Sequence, residues 1–231
     1  MKTSVKQRLS SAGSAPWLRA RRPEHKRERS DAILAAAVRL LDSVGVEGAT
    51  LSAIAREASL SKANCYRYFE SREAILLAVI LSEAQGWIRD VVERLKALPR
   101  RNDSDAVAEV IVRATVERPR LCMLISSLWS VLERNVSVDS IADFKRSFIE
   151  EMSALVDSVR SALPSLSADN AYAFVSFFFY FVAGSWAAAN PSPIVVEVLS
   201  REEFAGHCIA FESVLSAHAQ TVLRGMLAGE A

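Results

Sequence analysis

The chain has 231 residues, 51% of them hydrophobic, with only 8 Gly and 7 Pro, which is enough apolar material for one or two compact bodies and points to helices joined by short loops. Net charge is +1, yet residues 1–29 hold nine Lys/Arg (Lys2, Lys6, Arg8, Arg19, Arg21, Arg22, Lys26, Arg27, Arg29) against Glu24 and Glu28, a net +7 that leaves −6 on the rest; such asymmetry suits a phosphate partner and equally a solvated tail. Three cysteines (Cys65, Cys122, Cys208) without a CxxC, and His25, His207 and His218 away from ligand spacing, argue against a disulfide framework or a metal site, fit a reducing cytosol and leave no cofactor to expect.

In chain order, residues 1–22 lack hydrophobic periodicity and read as a mobile basic arm. Charge with no apolar run after it is not a secretory signal. From about residue 24 helical patterns run almost unbroken. The first helix is expected to end at Gly45, with Ser30 or Asp31 as its cap and Ile33, Leu34, Ala37, Leu40, Leu41 and Val44 along one face. Residues 46–49 form a loop. Thr50 caps a second helix to about residue 57, with Leu51, Ile54, Ala55 and Ala58 inward. Residues 58–60 turn, Ser61 caps a third helix over 62–69, and Ser71 caps a fourth that Pro99 stops.

Pro99, Pro119, Pro164, Pro191 and Pro193 divide the remainder into helices near 104–117, 120–133, 138–163, 168–189 and 203–226. The fold is therefore all-α, about nine helices, in an N-terminal three-helix unit (23–72) and a C-terminal body (73–231). The helix at 138–163 is amphipathic, and 121–132, free of charge, is expected to be buried all round. Ile194-Val195-Val196 has strand-like composition but no partner strand. Residues 170–196 carry no charge, close to the ~20 residues a membrane span needs. Asn170, Ser176, Ser185 and Asn190 and the lack of flanking Lys/Arg bias favour a helix buried on two sides of a cytoplasmic protein, with no membrane partner.

The informative stretch is 33–77. Three short helices with a three-residue turn between the second and third make a helix-turn-helix. Ala55 is small where the second helix crosses the third. Cys65 and Phe69 point inward, so Lys62, Asn64 and Arg67 point out, small and polar enough for a major groove ~12 Å wide. The hydroxyl caps Thr50, Ser61 and Ser71 stand at helix starts, where phosphate binds.

These residues resemble the tetracycline-repressor (TetR) family, whose members read Ile-Ala-x-x-Ala-Gly-Val-Ser-Lys-Gly-x-x-Tyr-x-Tyr-Phe-x-Ser-Lys-Glu-x-Leu after a helix, Gly and Thr. Here Gly45 and Thr50 precede Ile54-Ala55-Arg56-Glu57-Ala58-Ser59-Leu60-Ser61-Lys62-Ala63-Asn64-Cys65-Tyr66-Arg67-Tyr68-Phe69-Glu70-Ser71-Arg72-Glu73-Ala74-Ile75. Ser59 stands in place of the turn glycine, at a cost of about 1 kcal/mol if its φ is positive. Ala63 replaces Gly and Arg72 replaces Lys. The resemblance implies a DNA-binding regulator, a repressor by family default, held on its operator as a homodimer until a small effector binds. It implies phosphate contacts from Thr50, Tyr66, Tyr68 and Arg72, with Lys62, Ala63, Asn64 and Arg67 on the base-facing side. Tyr66 is equally open to a core role, and Arg67 to solvent or phosphate; Cys65 reads as packing rather than a redox switch.

Beyond residue 80 the resemblance weakens. Family practice joins the last two helices across a twofold axis. Val175, Phe179, Val182 and Trp186, with Phe204, Cys208, Phe211 and Leu215, are the expected interface. Met123, Trp129, Phe144, Phe148, Met152 and Phe178 are candidates for an apolar effector pocket, or simply core. No phosphate-cradling Gly loop or nucleophile constellation supports an enzyme. The alternative is a helical interaction module without DNA binding.

Overall fold

A computed structural model describes residues 16–99, 102–204 and 206–230, with side chains from residue 26. Ten α-helices follow in order: α1 (Pro16–Gly48), α2 (Leu51–Glu57), α3 (Lys62–Cys65), α4 (Arg72–Lys96), α5 (Ser104–Val116), α6 (Pro119–Ser127), α7 (Val138–Ala162), α8 (Ala168–Ala189), α9 (Pro193–Leu199) and α10 (Phe211–Ala228). A π-helical turn (Leu128–Leu132) extends α6, and there is no strand among the described residues. Six helices start on a side-chain cap. Thr50, Ser61, Ser71, Asp103, Ser137 and Ser167 each accept the N–H three residues on, at 3.0–3.2 Å. Each such cap stabilises its helix by about 0.5–2 kcal/mol.

Two apolar cores result. The lower one gathers Ile33, Ala37 and Leu41 of α1, Ile54 and Ala55 of α2, Cys65 of α3, and Ile75, Leu76 and Ile80 of α4. It is not closed by those helices alone. Leu124, Leu128 and Leu132 from α6 and its π turn, and Phe144 from α7, complete it. The upper core lies between α4, α5, α7, α8 and α10, around Trp87, Ile111, Leu155, Phe174, Phe178 and Leu215. Polar struts cross between the two regions. Arg120 reaches Asp42 of α1 at 2.6 Å and Glu83 of α4 at 2.9 Å. The Glu70 carboxylate accepts the N–H of Ser137, at the start of α7, at 2.8 Å, and these bonds hold its pKa below the usual range.

Several expectations need correction. The first helix begins at Pro16, not near residue 24, so Ser30 and Asp31 lie inside it rather than capping it. Of the arm expected over 1–22, residues 1–15 lie outside the described residues and 16–22 are helical. Gly45 (φ 69°) breaks the helical path near its end, and Val44 beside it is 54% exposed instead of inward. The third helix stops at Cys65; residues 66–68 continue as turns, through Arg67 N–H to Asn64 and Tyr68 N–H to Cys65. Residues 194–196 are helical, started by Pro193 in the first turn, a position that suits proline's missing N–H. The last helix starts at Phe211 rather than 203, because Gly206 (φ 88°) turns the chain and residues 207–210 are irregular. Helix α8 is long and apolar enough to cross a membrane. Here Ala171, Phe174, Val175, Phe178, Val182 and Ala183 are buried in the upper core.

Candidate nucleic-acid interface

The turn between α2 and α3 sets the interface. Leu60 N–H closes on the Ala55 carbonyl at 2.8 Å, and Ser59 takes φ 55°, the left-handed conformation glycine would adopt more cheaply. Ser61 then starts α3 over the fully buried Cys65. With that one side chain inward, Ser61, Lys62, Ala63, Asn64, Tyr66 and Arg67 are all exposed, and Thr50 at the start of α2 is exposed as well. Tyr66 is 57% exposed, so its core alternative does not hold. Burial pushes the Cys65 thiol pKa up, which keeps it protonated and inert.

Two of the motif's residues sit differently. Tyr68 is half-buried and packs on the lower core. Arg72 turns back into the protein: its Nε donates to the Ala49 carbonyl at 3.0 Å and its guanidinium also donates to the Val46 carbonyl. Its side chain is only 20% exposed. Arg72 thus holds the loop that presents Thr50, an anchoring that the motif alone did not reveal. Arg39 and Glu57, paired at 2.6 Å, brace α2 against α1.

A second feature lies in the body. A partly open cleft with about 180 Å³ of free space runs between α7, α8 and the π turn. Of the candidate pocket residues, Trp129, Phe144, Phe148 and Met152 line it. Phe178 lies behind, lining a smaller cavity shared with Phe148 and Met152. Met123 does not line it and packs on the lower core. Sequence reasoning missed Tyr172, Ser176, Phe179 and Tyr180 on the facing side of α8; their i, i+4, i+7, i+8 spacing could have found them. The walls are aromatic, with Trp129 edge-on to Phe179 at 5.6 Å between ring centres and Phe148 against Phe179 at 5.2 Å. Lys145 lines the cleft too and pairs with Glu133 at 2.5 Å.

The residues expected at the subunit interface do not form one exposed face. Val175, Val182 and Leu215 are buried within the protomer, Phe179 lines the cleft, and Trp186 packs edge-on to Phe211 at 5.0 Å. Phe204 lies in a separate 3₁₀ turn, and Cys208 is exposed on the irregular segment, so neither extends the face of α10. The uncovered face of the α8–α10 pair instead carries Phe177, Gly184 and Ala188 with Thr221 and Gly225, all exposed and uncharged. They flank a flat Phe181–His218 stack at 3.9 Å.

Two family models match the chain. The family model described as "Bacterial regulatory proteins, tetR family" matches residues 33–79, and "Tetracyclin repressor-like, C-terminal domain" matches residues 81–230. An HTH-type transcriptional regulator in the dhlA 5′ region of Xanthobacter autotrophicus is 23% identical over 177 residues, 74% of this chain and 85% of that protein. The fold is shared with FadR of Thermus thermophilus, a TetR-family transcriptional repressor solved with lauroyl-CoA (20% identity, 87% and 94% of the chains, TM-score 0.54). It is shared also with the fatty acid degradation regulator FadR of Bacillus halodurans (13% identity, 86% and 96%, TM-score 0.54).

Proposed function

Because the chain belongs to the TetR family of transcriptional regulators, we propose that it is a cytoplasmic repressor that grips a near-palindromic DNA site as a homodimer and lets go when a small apolar ligand fills the α7–α8 cleft. The observation that carries this is the exposed face of α3 and the turn after it (Lys62, Ala63, Asn64, Tyr66, Arg67), standing on one buried anchor, Cys65. Thr50, Ser61 and Tyr66 set register on phosphate, while Asn64 and Arg67 read base edges. Residues 23–72 form the DNA-binding unit and 73–231 the ligand-binding and dimerisation unit. In the dimer the Phe177–Gly184 face of α8 and the Thr221–Gly225 face of α10 meet their copies, which sets the two α3 segments about 34–36 Å apart, one DNA turn.

The ligand site is tied to the DNA unit at two places. Leu128 and Leu132 of the π turn are buried in the lower core while Trp129, between them, lines the cleft. Phe144 of α7 touches both, and α7 begins at the Glu70–Ser137 bond. A ligand that spreads α7 from α8 therefore shifts α4 and α3, provided it binds the released state better than the DNA-bound one. The lauroyl chain held by the Thermus relative supports an acyl or similarly apolar ligand.

The test is a gel shift with the DNA upstream of the protein's own gene, with and without medium-chain fatty acids and their CoA thioesters. Retardation that competitor DNA does not remove, relieved by one such ligand, is expected. No retardation on any duplex overturns the reading in favour of an interaction module without DNA binding.

A further inference from the structure

From residue 30 on, the helix-turn-helix is electrically neutral. Residues 30–72 contain five Lys/Arg (Arg39, Arg56, Lys62, Arg67, Arg72) and five Asp/Glu (Asp31, Asp42, Glu47, Glu57, Glu70). Two of those cations are already engaged, Arg39 with Glu57 and Arg72 with loop carbonyls. The rest of the chain, 73–231, carries −6. A dimer built from these parts alone would approach DNA with a repulsive body and no net attraction at the interface, whereas DNA affinity is largely the release of counterions by Lys and Arg. All of the protein's net positive charge lies in residues 1–29.

The structure gives that charge a helical carrier. Helix α1 runs from Pro16 to the break at Gly45, and among its described side chains, from residue 26 on, the first buried one is Ile33. Lys26, Arg27 and Arg29 are exposed, and residues 16–29 hold six cations and two anions. At 1.5 Å per residue the stretch before Ile33 is about 25 Å long, roughly twice the width of a major groove. The far end of α1 is pinned to the body through Asp42 and Arg120, so the extension runs away from that contact, beyond the lower core.

We propose that this basic extension of α1 is a second DNA-contacting element, which lies along the phosphate backbone beside the helix-turn-helix and supplies most of the salt-dependent affinity. It rests on the DNA-binding reading above. It reads no sequence; it neutralises phosphates, so its contribution is the same on every duplex.

The experiment compares the full-length protein with a variant carrying Arg19→Gln, Arg21→Gln, Arg22→Gln, Lys26→Gln, Arg27→Gln and Arg29→Gln. Binding to the operator duplex and to a random duplex is followed by fluorescence anisotropy from 50 to 200 mM salt. If half of the six cations in each subunit meet phosphate, the dimer loses six contacts and the slope of log K on log salt flattens by about 5. Affinity for both duplexes falls together, and their ratio holds. A Lys-for-Arg version of the same positions keeps the native slope. A smaller variant, Lys26→Gln, Arg27→Gln and Arg29→Gln, changes exposed side chains only and should flatten the slope about half as much, which covers the case in which the larger one misfolds. An unchanged slope, or tighter binding because the extension had been lying on the acidic body, overturns the inference while leaving the regulator reading intact. Failure of the unaltered protein to bind any duplex overturns both.

Discussion

Arg72 shows how one side chain can look like a ligand contact in a motif and serve as a brace in the fold. Its two hydrogen bonds run to the Val46 and Ala49 carbonyls of the loop that carries Thr50. Arg72→Ala leaves both carbonyls short of a donor and should lower stability by about 1–3 kcal/mol, read as a thermal midpoint some 2–10 °C lower. Arg72→Lys should not rescue it, because one ammonium lacks the planar fork that spans two carbonyls. An unchanged midpoint with weaker binding to every duplex would instead return Arg72 to phosphate. Asn64 is the contrasting case, exposed and aimed outward. Asn64→Ala should cost about 1–3 kcal/mol of discrimination at one base position, seen as relaxed preference in a binding-site selection; equal loss on all sequences would remove it from base reading. At Ser59 (φ 55°) the backbone already wants glycine, and Ser59→Gly should stabilise the domain by about 1 kcal/mol in denaturant unfolding.

At the level of whole helices, the packing of α4 on α5 turns on one buried polar pair. Trp87 Nε1 donates to Thr115 Oγ1 at 3.1 Å, and the Thr115 hydroxyl donates to the Ile111 carbonyl at 2.7 Å. Thr115→Val keeps the shape but leaves the indole N–H unpaired, for an expected loss of about 1–3 kcal/mol. Adding Trp87→Phe should recover part of it, because no donor then remains to be satisfied. A double-mutant cycle with no coupling would show that the pair only fills space. The same helices show what a sequence can and cannot reveal. The caps at Thr50, Ser61 and Ser71 and the stops at Pro99 and Pro119 were legible because each acts within one turn of its own backbone. The start of α1 was not, since residues 16–32 carry no hydrophobic period to read. The stripe Phe204, Cys208, Phe211, Leu215 had the spacing of one helix, but Gly206 at φ 88° breaks it. In the cleft, Trp129, Phe144, Phe148 and Met152 were visible as large apolar residues, whereas the spacing of Tyr172 and Tyr180 puts them on one face of a charge-free helix without saying that this face meets α7.

Taken as a whole molecule, the described residues leave a charge-free face of α8 and α10 uncovered, and at its centre sits a titratable group. His218 lies flat on Phe181 with Nε2 buried and without a hydrogen-bond partner among the described residues. Burial pushes its pKa below the ordinary imidazole value, against a bond to the Phe177 backbone that pulls the other way. The unfolded chain therefore binds this proton more readily than the folded one, so stability is complete above the ordinary value of 6.5 and declines as pH falls through it. Glu117 and Asp105, whose pKa values are lowered by bonds to Arg94 and Arg224, lose their contribution only further into acid. The two windows separate in a midpoint-versus-pH curve, and His218→Phe should flatten the upper one alone. If this face is the subunit interface, the imidazole is buried further in the dimer, and sedimentation should show weaker association at pH 5.5 than at 7.5. Thr221→Glu supplies the direct check. Thr221 is exposed, so a carboxylate there costs the protomer little, yet across a twofold axis it would face its own copy in an apolar seam. The variant should sediment as a folded monomer with an unaltered thermal profile at low concentration, and it should bind a palindromic site no better than a half-site. A Thr221→Glu protein that remains a dimer would place the interface elsewhere and, with it, the spacing of the two α3 segments.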